Sequence, residues 1–474
     1  MATPTGGRPS PALRRMLVPL ALAQFICSFA GSNMNVMIND ISEDLDTTVQ
    51  GVQTAITLFL LVMAALMIPG GKLSDKWGRK RCLTLGLVVY GVGALLSAVS
   101  PTLGVLIVGN SLLEGVGTAL LIPPVYILTT LLFHDVTSRA RAFGAISGMG
   151  GIGAAAGPLI GGVITTAISW RAAFVFQAII VGLIVVLARR IDDPLPADPD
   201  RPFDLAGAVL SAVGLVLLVA GILAADDDAA LTALLIGAGA LVLVGFFAVI
   251  RAGERAGREV LLHTSLFRNR ISNLGLVTQN IQWLVLMGVS FVVSAYLQVE
   301  RGYNAIETGV IFTAATVGIL VASLLAERMA SRRSPRTLVV GGFVITLSGI
   351  ALLLVLGGGA ERPIASAPGL FLIGFGLGTM LTPSVNVVQS SFAEELQGEI
   401  SGLSRSVSNL GSSLGTAVAG TVLVAGLGSG DHSYAAALVV LGGIGLAGLV
   451  AAAFLPGGVP ARPGTGPEVT ATAV

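Results

Sequence analysis

The sequence predicts an all-α integral membrane protein of fourteen spans, and three observations carry that prediction. Of its 474 residues 54% are hydrophobic and only 11% charged, and the mean hydropathy is +0.88, well outside the range of water-soluble domains. The apolar residues come in runs of about 20, the length at which a helix crosses a bilayer. Between those runs lie short segments that hold nearly all the charge. The net charge of +1 therefore says nothing about partners, because the charges are segregated rather than summed. The 62 glycines suit helices that approach one another closely in lipid.

Taken in order, the expected spans are 16–38, 53–70, 83–99, 103–130, 141–166, 171–189, 204–224, 230–250, 271–297, 304–327, 337–357, 365–390, 398–427 and 434–455. The first run follows Arg14 and Arg15 as a signal peptide would. It is too long, carries Asn33 and Asn35, and lacks a small-residue cleavage site, so it reads as a retained helix. Charge then tests the count. With the N-terminus inside, cytoplasmic segments hold 23 of the 27 Lys and Arg, leaving Arg171, Arg301 and Arg362 outside and Arg405 within a span. The outer loops are acidic instead, at Asp44, Asp46 and Asp226 to Asp228. A miscounted helix would scramble this alternation. The expected topology is a multi-pass protein of the cell (plasma or inner) membrane with both termini cytoplasmic.

Between the second and third spans, Gly71 to Arg81 reads GKLSDKWGRKR, with five of eleven residues Lys or Arg. Such a cluster does not sit in hydrocarbon, so a short, tight cytoplasmic loop is expected there. A solvated loop explains the charge but not the spaced glycines or the lone acid. Gly71, Leu73, Asp75, Lys76, Gly78, Arg79 and Lys80 stand in register with G-x-L-x-D-[RK]-x-G-[RK]-[RK], and the segment resembles the loop signature of the major facilitator superfamily. The resemblance implies a transporter in which Asp75 latches one conformational state against a neighbouring helix end. Gly71, Gly78, Arg79 and Lys80 complete the latch, and Arg139 and Arg141 both remain open as partners.

A worn second copy follows the tenth span, at Leu325, Ala326, Glu327 and Arg328 with Arg332 and Arg333 behind, but without the glycines. Two such segments, each after the second helix of a six-helix block, indicate internal duplication. The blocks are residues 1–189 and 266–474, and residues 190–265 insert two more helices. This layout is similar to the fourteen-helix drug:proton antiporter family of the superfamily. Phe203-Asp204 leading into Gly207, Leu266 to Arg270, and Tyr296-Leu297-Gln298 with Gly302-Tyr303 carry the same likeness. The implied fold is two six-helix bundles with an inserted pair.

In the fifth span, Gly153, Gly157 and Gly161 repeat every four residues, with Pro158 and Gly162 beside them. Such a stripe lets another helix approach closely, and the proline bends the helix. Ordinary small-residue packing is one reading. With the proline and double glycine present, the segment resembles the antiporter signature of the superfamily's exporters, which implies a place at the contact between the two halves. Trp170-Arg171, with Phe174 close behind, is typical of the same family.

The first and fourth spans depart from the family. Its first-helix pattern, L-D-x-T-x-V-N-V, puts Ala30 where a membrane-embedded acid belongs; its fourth-helix pattern, R-x-x-Q-G, puts Ser111 on the arginine and Glu114 on the glutamine. An acid and a base that depend on each other electrostatically are thus lost together. Glu114 stays as the acid nearest mid-membrane. Intramembrane acids are functional-site hypotheses, so it is the coupling candidate; the alternative is a neutral acid acting as the family's glutamine does. Arg405 either snorkels to the inner surface or meets an anionic substrate group or a carboxylate.

Gln24, Asn33, Asn35, Gln279, Asn280, Gln282, Asn386, Gln389 and Asn409 are polar residues on otherwise apolar spans. Each alone suits an interhelical hydrogen bond; together with Trp283, Phe291 and Arg405 they suit an amphipathic substrate cavity. The leading expectation is an exporter of hydrophobic or amphipathic small molecules, proton-driven and needing no cofactor, acting as a monomer among membrane lipids and binding no nucleic acid. The runner-up is a lipid or lipid-precursor flippase. A membrane enzyme is disfavoured. His134, His263 and His432 lie near loops, Asp226 to Asp228 are consecutive and do not converge on a metal, and no phosphate-binding Gly-rich Lys motif is present. Cys27 and Cys82 suggest neither a disulfide nor a metal site.

Overall fold

The computed structural model describes residues 11–133, 136–191, 193, 197–200, 202–225, 228–357, 363–392, 396–425 and 431–457. Among these residues fourteen long helices follow one another: α1 Pro11–Asn33, α2 Val49–Trp77, α3 Arg79–Ala98, α4 Leu103–Leu132, α5 Val136–Ala167, α6 Trp170–Ala188, α7 Leu205–Leu223, α8 Ala229–Arg255, α9 Arg270–Ala295, α10 Ala305–Arg332, α11 Pro335–Gly357, α12 Ala367–Gln389, α13 Gln397–Ala425 and α14 Asp431–Ala453. Each expected span falls on one of them.

Twelve described helices are long and apolar enough to cross a bilayer on composition alone. α5 joins them only as a bent pair, Ala142–Ala154 and Ala156–Ala167, set at 42°. Pro158 is the physical cause, since its ring clashes with the carbonyl four residues earlier, that of Ala154. The other, α13, is more polar than the rest. Its serines are consumed inside the protein, as described below.

Helix ends follow local chemistry. Thr48, Ser169, Asp204, Asp228, Asn269 and Asn304 cap α2, α6, α7, α8, α9 and α10, each side-chain oxygen accepting an otherwise orphaned backbone N–H. The loop expected over residues 71–81 is corrected. α2 continues through the basic segment to Trp77, and α3 begins at Arg79. The turn is Gly78 alone, at φ 92°, a conformation that favours glycine. The first span also ends earlier than expected. α1 stops at Asn33, and a 3-10 turn, Met34–Val36, leads to a short separate helix, Ile38–Asp44.

Packing arranges the helices around two seams. α1 to α6 pack among themselves, as do α9 to α14, and the groups meet where α2 lies on α13 and α5 lies on α10. The inserted helices pack on each other, and α7 covers the first seam, with Val219 buried against Leu61 of α2 and Ala417 of α13. The segment after α8 turns back beneath the bundle. Its Val260, Leu261, Leu262 and Leu266 are buried with Ile400 and Leu403 of α13. The end bearing residues 71–81 and this segment is called the basic end, and the end bearing Asp44 and Asp228 the acidic end.

Candidate functional site

The α2/α13 seam is stitched along its length by hydrogen bonds. Gln53 Nε2 donates to the Thr416 and Ala417 carbonyls at 3.1 and 3.2 Å. Ser413 donates to the Thr57 carbonyl at 3.0 Å and Ser406 to that of Ala64 at 2.5 Å. At the basic end Lys72 Nζ meets Glu399 Oε1 at 2.9 Å, while His263 Nδ1 lies 2.9 Å from Glu399 Oε2 and Lys72 lies 3.9 Å from Glu259. This explains the low hydropathy of α13. Ser406, Ser413 and Thr421 donate to carbonyls of neighbouring helices and Ser404 to Gln279, while Ser408, Ser412 and Thr416 donate to carbonyls of α13 itself.

The α5/α10 seam is held by close backbone approach. A Cβ on Gly162 would lie 2.3 Å from the Ala305 carbonyl oxygen, and one on Gly309 would lie 2.4 Å from that of Pro158. The Ile306 N–H donates to Thr166 Oγ1 at 3.1 Å. Gly153, Gly157 and Gly161 face elsewhere. Their Cβ positions meet Phe25, Ser32 and Asn33, all on α1. The stripe thus has two faces, one binding α1 and one, at Gly162, binding α10. Further along α5, a Cβ on Gly144, Gly148 or Gly151 meets nothing within 4 Å.

The acidic end is closed by more than helix packing. The Asn35 carbonyl accepts from the Ser294 hydroxyl and from Gln298 Nε2, the latter at 2.7 Å, and the Asn39 N–H donates to Gln298 Oε1 at 3.2 Å. Beside this contact Asp44 accepts from Trp170 Nε1 at 3.0 Å and from the Arg171 guanidinium, which also donates to the Ser100 carbonyl at 2.9 Å. The hydrogen bond from Arg171 holds the Asp44 carboxyl below its usual range.

In the basic segment, Arg79 Nη2 donates to Asp75 Oδ1 at 2.8 Å. The Lys80 N–H donates to Asp193 Oδ2 at 3.1 Å and Lys80 Nζ to the Arg189 carbonyl at 3.2 Å, which ties the start of α3 to the end of α6. Gly71 packs toward Pro123, 3.6 Å from where its Cβ would be. The side chains of Arg139 and Arg141, the expected partners of Asp75, lie outside the described residues, as do those of Glu327 and Arg328. Lys72 crosses the seam to α13 in this same segment, and the sequence pattern did not single it out.

Glu114 is completely buried between α3 and α4. Its Oε1 accepts from Ser97 Oγ at 3.4 Å, and among the described residues its Oε2 has no hydrogen-bond partner. It closes a π-helical segment, Ile107–Glu114, whose wider turn also points Ser111 at the Ala55 carbonyl, 2.7 Å away. Ala30, where the family carries an acid, is buried as well. Glu114 therefore sits inside the packing of the first six helices rather than beside the polar residues at the centre.

Those polar residues divide. Gln279 accepts from Ser404 Oγ at 2.9 Å and Gln282 from Ser384 Oγ at 3.2 Å, so both join helices. Asn280 Nδ2 donates to the Val407 carbonyl at 2.9 Å. Asn33 is fully buried with neither amide atom hydrogen-bonded among the described residues, and Asn35 belongs to the acidic-end closure. Asn386 is exposed, while Trp283, Arg405 and Asn409 are half-buried. At the centre one chain of contacts links both helix groups. Arg405 on α13 donates through Nη2 to the Tyr126 hydroxyl on α4, which donates to Gln24 Oε1 on α1 at 3.1 Å. Tyr126, the middle of this chain, carried no signal in the sequence.

Comparison with known proteins agrees with this geometry. The sequence profile of the Major Facilitator Superfamily matches residues 20–416 and 275–473. The puromycin resistance protein pur8 of Streptomyces alboniger is 30% identical over 86% of this chain and 81% of its own. The probable actinorhodin transporter of Streptomyces coelicolor is 29% identical over 90% and 75%. The multidrug efflux pump LfrA of Mycolicibacterium smegmatis is 27% identical over 86% and 80%. Among solved structures, a peptide transporter in complex with sulfate superposes with a TM-score of 0.68 at 16% identity, covering 94% of this chain and 96% of that one, a likeness of fold. The chain belongs to the Major Facilitator Superfamily and is a multi-pass membrane transport protein, not an enzyme.

Proposed function

We propose that this protein exports hydrophobic or amphipathic small molecules by alternating access, driven by the proton gradient. All fourteen long helices cross the bilayer in this reading, with the basic end in the cytoplasm, where 23 of the 27 Lys and Arg would lie. Residues 1–189 and 266–474 act as the two moving bundles, and residues 190–265 as an insertion riding on one seam. The observation that carries the reading is the construction of the seams. Small residues and hydroxyls let α2 slide on α13 and α5 on α10, and the acidic end is closed over a polar layer at Arg405, Tyr126 and Gln24. The resistance and efflux roles named for pur8 and LfrA favour export over import. Proton coupling is assigned to Glu114, which would have to be reached by water during the cycle.

The test is a proteoliposome assay with an imposed pH gradient, read with ethidium, an amphipathic dye, and a fluorescent phospholipid. Gradient-dependent movement of the dye is the expected result. Movement of the phospholipid alone would replace this reading with lipid transport, and movement of neither would refute it.

A further inference from the structure

Arg405 lies eight residues into α13, which at 1.5 Å per residue is about 12 Å from the start of the helix. Its guanidinium carbon sits 4.9 Å from the centroid of the Tyr126 ring, and Nη2 donates to that ring's hydroxyl. Tyr126 in turn stacks on Phe143 of α5 at 5.9 Å and 20°. The guanidinium and the Phe143 ring thus both lie against Tyr126, and all three residues are half-buried. Gln24, behind the Tyr126 hydroxyl, is buried.

No carboxylate compensates this cation among the described residues. Glu399, on the same helix, is held by Lys72 and His263; Asp75 is bound to Arg79 and Asp44 to Arg171. Glu114 is enclosed between α3 and α4. A guanidinium offers five N–H donors in a fixed fork, and among the described residues Arg405 uses one of them, on a neutral hydroxyl. An arginine within a membrane helix bundle, aimed inward and lacking a counter-charge, marks a substrate path. Its fork matches a carboxylate, and its flat face stacks on aromatic rings.

We propose that Arg405, Tyr126, Phe143 and Gln24 form a substrate subsite selecting planar aromatic compounds that carry an acidic group. The ring lies along Tyr126 and Phe143, and the anionic oxygens take the Arg405 donors that the protein leaves open. The assignment rests on the transport reading above and names the substrate class at its centre.

The test measures binding of anthraquinone-2-carboxylate and its neutral carboxamide to the purified protein in nanodiscs, by quenching of tryptophan fluorescence. A charged hydrogen-bonded contact predicts about tenfold to hundredfold tighter binding of the acid. Arg405→Gln should abolish that preference, Arg405→Lys should restore part of it, and Phe143→Ala should weaken both probes equally. Tyr126→Phe keeps the guanidinium and removes its hydroxyl partner, so it should retain or strengthen acid binding. Equal affinity of the wild type for both probes, no binding of either, or a preference that survives Arg405→Gln would overturn the subsite. Proteoliposome transport of the same probes separates the two ideas. A binding preference without transport refutes export and leaves the subsite, whereas transport of both probes without preference refutes the subsite alone.

Discussion

Replacing Gly162 by alanine puts a methyl group into the backbone of α10. The new Cβ would lie 2.3 Å from the Ala305 carbonyl oxygen, 2.8 Å from its carbon and 3.1 Å from Ile306 Cα. These are backbone atoms, so no side chain can rotate away. Bringing 2.3 Å up to the 3.4 Å of ordinary contact moves α5 and α10 apart by about 1.1 Å at the acidic end. Overpacking of this kind costs about 1–3 kcal/mol. The penalty falls only on the conformation in which the acidic end is shut, so it shifts the equilibrium toward opening there by about 5- to 150-fold. Gly153→Ala is the control. Its Cβ would also lie 2.3 Å from a backbone oxygen, but that of Phe25 on α1, within the first six helices. It should lower the thermal unfolding midpoint without changing the balance between states. Distances between spin labels on the α5–α6 and α9–α10 connections, measured by pulsed electron resonance, read the balance directly. An unchanged distribution in Gly162→Ala, or an equal shift in Gly153→Ala, would refute the assignment of the two faces.

Other consequences follow from the polar contacts. Lys72→Ala removes the cross-seam partner of Glu399, so the basic end should open more often and turnover should fall. The charge swap Lys72→Glu with Glu399→Lys should restore the wild-type distance distribution, which a merely local role for Lys72 would not do. Glu114→Gln should uncouple transport from the pH gradient while leaving probe binding within about twofold, since the residue lies away from Arg405; transport with unchanged pH dependence would reduce Glu114 to a hydrogen-bonding residue. Asp44 has a carboxyl held below its ordinary pKa by Arg171, so its contribution is fully present above the unfolded value of about 4 and is lost as pH falls through the lower folded value. Asp44→Asn should lower the unfolding midpoint slightly at neutral pH, by an amount set by an exposed ion pair. The wild-type and variant midpoints should converge on acidification, and a difference independent of pH would rule out the carboxylate as the cause.

Much of the helix layout was legible because lipid leaves so few choices. A span must be long and apolar, and basic residues must stay on one side, so hydropathy and Lys/Arg placement located α1 to α14 without tertiary information. In the segment at Gly71 to Lys80 the turn at Gly78 was readable, because a φ of 92° is a local backbone demand, whereas the continuation of α2 through the basic residues to Trp77 was not. Side-chain roles were harder. Asn33, Asn35, Gln279 and Gln282 looked alike as isolated polar residues. Which of them line open space and which join helices depends on the rotation of each helix against its neighbours, a property no single helix encodes.

The sequence by itself determined the class of molecule, the approximate positions of its helices, a basic segment after the second span and the presence of a close-packing glycine stripe in α5. Tertiary structure alone decided which way that stripe faces, and it gave Gly153, Gly157 and Gly161 to α1 while Pro158 and Gly162 meet α10. Only the assembled fold showed that α7 covers the α2/α13 seam, and only it drew Lys72, His263 and Glu399 into one cluster. It also placed Arg405 against Tyr126, residues 279 positions apart in the chain. The physical reason is range. Burial in lipid and backbone geometry act residue by residue and leave a periodic mark, whereas a hydrogen bond between distant helices depends on their relative rotation and depth, which the packing of all fourteen helices sets together.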